Sequence, residues 1–95
     1  MIPQILALDS GWVVAGYPEY KGLKITVHNA LVIIRWGTSG GLGELAKKGP
    51  LQNTKLGEQA TIQAPASRLI FAMDVDAVIW EKVLGPCEAE VEATT

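Results

Sequence analysis

The sequence predicts a small, mostly-β α+β domain, a bent antiparallel barrel or roll carrying two short helices. Three observations predict it. Apolar runs rich in Val, Ile and Trp are separated by turn residues rather than by helical periods. Two stretches only, 42–48 and 77–84, place apolar residues at helical spacing, and each is closed by a Gly-Pro pair, Gly49-Pro50 and Gly85-Pro86. The chain has 95 residues, which is single-domain size. An isolated flat sheet would leave its edges open, and a bent sheet that covers itself avoids this.

QILAL (4–8) forms an apolar strand and Asp9-Ser10-Gly11 a turn. GWVVAGY (11–17) is a second strand, with Gly16 and Pro18 suggesting a bend or bulge at its end; PEYKGL (18–23) is turn-like with Lys21-Gly22 at its tip. From Leu23 the pattern alternates, Leu23, Ile25 and Val27 against Lys24, Thr26 and His28, as in a half-buried strand. After Asn29-Ala30 it becomes the continuous run LVIIRW, which suits a strand buried on both faces or paired with another copy. The apolar parity slips at 29–30, which predicts a bulge or sharp bend there.

GTSGGLG (37–43) leads into a two-turn helix with Leu42, Leu45 and Ala46 on one face and Thr38 or Ser39 as its cap. Glu44 in its first turn and Lys47-Lys48 in its last complement the helix dipole. Residues 51–58 form a surface loop, ATIQAP (60–65) a short strand and RLIFAMDV (68–75) a buried strand. Asp76 caps a last helix, AVIWEKVL, with Val78, Ile79, Val83 and Trp80 inward; a strand over 77–83 is the alternative. Residues 1–84 make the single β-rich domain, and 85–95 an acidic C-terminal tail, flexible unless a partner holds it.

Composition excludes several classes. A hydrophobic fraction of 48% and a charged fraction of 19% exclude a disordered chain. The longest apolar stretch, Ala30 to Ile34, is far shorter than the ~18–20 residues of a membrane span, and no signal-peptide pattern is present. One Cys and one His support neither an internal disulfide nor a Cys/His zinc site, so no metal or cofactor is expected, and a reduced cytoplasmic protein is. A net charge of −2 lacks the basic footprint of a duplex nucleic-acid binder. The acidity is uneven, however. With Glu88, Glu90 and Glu92 of the tail set aside, 7 of the 10 acidic residues remain against 8 basic ones, so residues 1–84 stand near +1 and a small anion is not disfavoured.

The sharpest motif is the strand, glycine-rich loop and helix start from Arg35 to Pro50. Backbone amides at such a loop and helix N-terminus make an anion site. Gly40, Gly41 and Gly43 would offer amides, Thr38 and Ser39 hydroxyls, and Arg35 a bidentate charge. Lys24 and His28, on a polar strand face, would add contacts to an anion or a partner. The formal G-x-G-x-x-A match at 41–46 lacks the long helix and the acid ~20 residues on that a dinucleotide site needs. His28 has no nucleophile or orienter in view, and Cys87 sits at the head of the tail, so no catalytic set is expected. Asp74 and Asp76 fit a strand end and a helix cap better than a cation site. Trp36, closing the buried run, and Trp80 fit the core, while Trp12 follows a turn glycine and fits an exposed rim. LVIIRW is the candidate oligomer interface, through Leu31, Ile33 and Trp36 with Trp12, and a homo-oligomer is expected.

The block in which His28-Asn29-Ala30 leads into LVIIRWGTSGGLGELAKKGP resembles a family of small phage- and prophage-type proteins of unknown function. The matching positions are Gly11, Val14, Gly16, Asn29, Ala30, Trp36, Gly37, Leu42, Leu45, Ala46 and Gly49, with 29–50 the specific part. The resemblance implies a mobile-element origin and the cytoplasm of a bacterial host, and it brings no activity or catalytic residues. The function expected is that of a non-catalytic binding module for a small anionic or nucleotide-like ligand at the 37–45 loop. The alternative is a protein-interaction or structural oligomer module, with a host protein or further copies as partner and no small-molecule ligand.

Overall fold

In the computed structural model, which describes residues 2–37 and 39–87, the apolar runs become a single antiparallel sheet. β1 (Gln4–Leu8), β2 (Trp12–Lys21) and β3 (Lys24–Arg35) form a meander. Helix α1 (Gly41–Lys48) follows β3. β4 (Lys55–Leu56) and β5 (Ala60–Pro65) then share the outer side of β3, β6 (Leu69–Asp74) pairs with β1, and α2 (Ala77–Leu84) follows. The order across the six-stranded sheet is β4-β3-β2-β1-β6, with β5 beside β3. A 3-10 turn of three residues, Ala66–Arg68, joins β5 to β6 across opposite ends of that order, so the sheet must curl. No ladder among the described residues joins β5 to β6, and the barrel is not closed.

The parity slip in β3 is a bulge. Ala15 pairs with Leu31 but Tyr17 with His28, and Val27 pairs with Ile62 but Ala30 with Ala60, so β3 carries an extra residue on both sides. Asn29, with φ 55°, sits in the left-handed region at this point. Before the bulge, Ile25 and Val27 enter one core with Leu6, Val14, Ala30 and Val32. Beyond it, Leu31 and Ile33 enter the other with Ile5, Ala15 and Tyr17, beneath Leu42, Leu45, Trp80 and Leu84 of the helices. β1 contributes to both, which is why QILAL is apolar at consecutive positions.

Trp80 joins the two helices. Its fully buried indole Nε1–H donates to the carbonyls of Leu45 (3.2 Å) and Ala46 (3.1 Å), and the Asp76 amide donates to the same Ala46 oxygen (3.0 Å). The C-terminal carbonyls of α1 are thereby satisfied by α2, and a two-turn helix too short to persist alone is held by packing. The expected stops hold: Gly49 N–H and Gly85 N–H close the two helices on Leu45 O and Glu81 O, each at 2.9 Å. Asp76 caps α2 by accepting from Ile79 N–H (3.2 Å), so 77–84 is helix and not strand.

Several expectations are corrected. Residues 18–21 are strand, not turn, and Pro18 pairs with Val27. The β1 ladder ends at Gly16, so no neighbour there requires the proton that proline lacks. The 51–58 loop contains β4. β6 is not buried: Ile70, Phe71 and Ala72 are exposed, because it is the sheet's edge. Val78 and Trp36 are also exposed. Gly40, not Ser39, is the N-cap of α1, and Thr38 lies outside the described residues, as do Glu88, Glu90 and Glu92.

Two glycines test this packing in opposite directions. A Cβ at Gly16 would stand 2.5 Å from Val27 Cγ1 and 2.9 Å from the His28 carbonyl, facing the bulge. Gly16→Ala is expected to lower unfolding stability by about 1–3 kcal/mol in a denaturant titration. Gly43, inside α1, faces open space, and Gly43→Ala is expected to raise stability by roughly 0.5–1 kcal/mol.

Candidate functional site

The glycine-rich loop is built by the end of β3. Gly37 (φ 68°) packs so closely on the Asn53–Thr54 peptide that no Cβ fits. Thr54 Oγ1 donates to Trp36 O (2.6 Å) and accepts from Leu51 N–H (2.9 Å), stapling the loop to the chain after α1.

The amides at the head of α1 already have a carboxylate. Glu44 Oε1 accepts from Gly40 N–H at 3.2 Å, and its other oxygen accepts from Lys48 Nζ at 3.2 Å. These bonds hold the Glu44 carboxyl below its usual range, the Gly40 amide contributing most and Lys48 next, with the Ser39 amide adding to them. The Gly40 amide, one of the donors an external anion would use, is therefore engaged by a carboxylate of the chain itself. The first-turn position of Glu44 was legible in the sequence, and its competition with an external anion follows from the same electrostatics. Gly41 and Gly43 border open space, and Ser39 is exposed.

The remaining candidate ligand residues do not converge on this loop. Arg35 stands exposed opposite Lys55, a pair of like charges with no carboxylate partner among the described residues. Lys24 lies at the other end of the same strand, opposite Lys21 and Pro65. His28, midway, is bonded to Glu19 (Nε2···Oε1, 3.0 Å), and that hydrogen bond, ahead of the charges of Lys21, His28 and Lys24, lowers the Glu19 carboxyl. Asp74 accepts from Gln4 Nε2 (3.0 Å) and Asp76 caps α2; no cluster of three or more His, Cys, Asp or Glu able to hold a metal occurs among the described residues.

The expected interface divides. Leu31 and Ile33 are buried beneath the helices of their own chain and cannot meet a partner. Trp12 (56% exposed) and Ile34 (58%) remain on the surface. Trp12 also lines an apolar cleft of about 300 Å³ with Leu8, Val14, Val32, Ile62 and Ala64. A second cleft, polar and about 400 Å³, lies at Asn29, Gln59, Thr61 and the end of α2. There Asn29 Nδ2 donates to Pro86 O (2.8 Å) and Gln59 Nε2 to Asn29 O (2.9 Å) and Leu84 O (2.8 Å). Their amide groups tie the bulge to α2. No helix among the described residues is long and apolar enough to cross a membrane.

A group whose pKa is lowered by folding stabilises the fold above the ordinary carboxylate range and loses that contribution as pH falls through it. Thermal unfolding followed downward from neutral pH is expected to show such a loss below pH ~4.3. Glu44→Gln is expected to have a lower melting temperature at neutral pH and a shallower acid slope. An unchanged slope would show that the carboxylate is not held by the loop.

Comparison with known protein families and with curated proteins finds no match.

Proposed function

We propose that this protein is a non-catalytic, self-associating interaction module, an accessory protein of the phage-type kind that its 29–50 block resembles. The observation that carries the reading is the Glu44 carboxylate on the Gly40 amide, which takes the place an anionic ligand would fill. An external anion must displace a carboxylate tethered beside its own donors, and tethering gives that carboxylate a high effective concentration. Apolar surface, by contrast, is left uncovered at Trp12, Ile34, Ile70 and Phe71 in a chain of 95 residues. Such patches mark association surfaces. The small net charge of −2 does little to keep copies apart.

A second reading, a small-anion binder, is favoured by the Arg35–Lys55 pair of like charges at the end of β3, which has no carboxylate partner among the described residues. Two measurements separate them. A bound ligand at 100-fold its Kd adds ~2.7 kcal/mol to stability, so a thermal-shift panel of phosphate, nucleotides and cyclic nucleotides is expected to be flat. Solution mass is expected to rise with protein concentration. A strictly monomeric mass with a nucleotide-specific thermal shift would reverse the choice.

A further inference from the structure

We infer that two copies of this chain join through β6, edge to edge and antiparallel, about a two-fold axis at Phe71. The inference rests on the self-association reading and names the surface and the partner.

Among the described residues, β6 is the last strand on its side of the sheet and pairs only with β1. Its outer edge therefore presents backbone N–H and C=O groups to solvent, a template for another strand. Five consecutive residues there, Leu69 to Met73, are apolar, with Ile70 66% and Phe71 44% exposed. No lysine, proline or inward charge interrupts them, which are the usual means of keeping an edge from pairing. The opposite side of the sheet is different: it is shared by β4, only two residues long and carrying Lys55, and by β5, which alternates in Thr61 and Gln63 and ends at Pro65.

The ends of the strand are complementary to each other. Arg68, the last residue of the 3-10 turn, stands just before β6 and Asp74 is its final residue, so antiparallel pairing about Phe71 brings the Arg68 end of one copy to the Asp74 end of the partner subunit and, by symmetry, Asp74 to the partner subunit's Arg68 end. Both groups have capacity to spare. Arg68 uses Nη1 on Asp9 (2.8 Å), leaving further guanidinium donors, and both side chains of that bridge are exposed. Asp74 accepts from the neutral Gln4 amide, which in turn accepts from Tyr20 (2.9 Å). This chain of bonds across β2, β1 and β6 fixes the carboxylate at the end of the edge.

The β6 ladder with β1 slips at one point. Ala7 faces Phe71 and Leu8 faces Leu69, which makes Ile70 the bulged residue. A bulge twists an edge, and an isologous pair consumes the edge of each copy, so pairing through β6 stops at two.

Three variants test the mode by sedimentation equilibrium and by oxidative crosslinking. Arg68→Asp and Asp74→Arg each set like charges across the axis and are expected to weaken dimerisation tenfold or more. The double variant Arg68→Asp/Asp74→Arg restores opposite charges and is expected to recover most of it. Melting temperatures recorded alongside separate this from loss of the internal Arg68–Asp9 bridge, which the double variant does not restore. Phe71→Cys places two thiols at the axis, within the Cα separation a disulfide spans in either type of antiparallel pair. It is expected to give a covalent dimer where the wild type, whose one cysteine, Cys87, is buried, gives none. An oligomer unaffected by both charge reversals, with Phe71→Cys uncrosslinked, would overturn β6 pairing while leaving self-association standing. A wild type that is monomeric throughout would overturn both.

Discussion

The structure depends on one irregularity, the bulge at Asn29. A strand of strict period two presents each side chain to one face throughout. β3 changes allegiance instead. Ile25 and Val27 serve the inner core of the curled sheet, and Leu31 and Ile33 the core beneath the helices. Without the extra residue, the second half of β3 would turn those two side chains inward and leave the helices over Ala30 and Val32, too little apolar surface to hold two helices of eight residues each. The bulge is held from three sides. Gly16 across the ladder leaves room for it, and Asn29 tolerates the positive φ better than a branched residue would. The Asn29 and Gln59 amides bind it to the carbonyls that end α2. Each such bond contributes about 0.5–1.5 kcal/mol. Together with Tyr17 Oη–H donating to Gly85 O (2.7 Å), they make the turn after α2 part of the same unit as the centre of the sheet.

What was legible in the sequence is what depends on neighbouring residues. The parity slip at 29–30, the stops at Gly49 and Gly85 and the cap at Asp76 are local, and each appears where the pattern places it. What was not legible depends on strands distant in sequence. Pro18 stays within a strand because β1 has already ended beside it, and no pattern within 12–21 says so. LIFAM matches a buried strand as well as an edge strand, since apolarity does not report whether a second neighbour arrives. Trp36 matches the end of a buried run, but β3 stops at Arg35, so Trp36 lies beyond the paired strand, before the turn at Gly37, and is exposed.

The candidate site shows the same division. An acid in the first turn of α1 is a local fact, and its value to the helix was foreseeable. That Glu44 reaches back to the Gly40 amide, and so fills the loop read as an anion site, is a matter of rotamer and turn geometry. The scattering of Lys24, His28 and Arg35 follows from the length of β3. Strand residues rise ~3.3 Å each, so the two ends of a 12-residue strand cannot serve one small ligand.

The two free edges carry the functional argument furthest. One face of the sheet is largely covered by the helices and the other largely by its own curled core, so the apolar surface left on the faces is confined to the neighbourhood of Trp12 and Ile34. Edges are different, because a strand added there satisfies backbone groups that only water satisfies otherwise. β5 is shielded by polar side chains and ends in a proline, whereas β6 carries its most apolar residues outward between one cation and one anion. An edge that offers hydrogen bonds, apolar area and self-complementary charge at once is costly to leave bare, since a bare apolar edge invites uncontrolled growth. A two-fold closure removes that hazard by using the edge of each copy once. The asymmetry between β5 and β6 is what a chain needs if it assembles through one edge and stops.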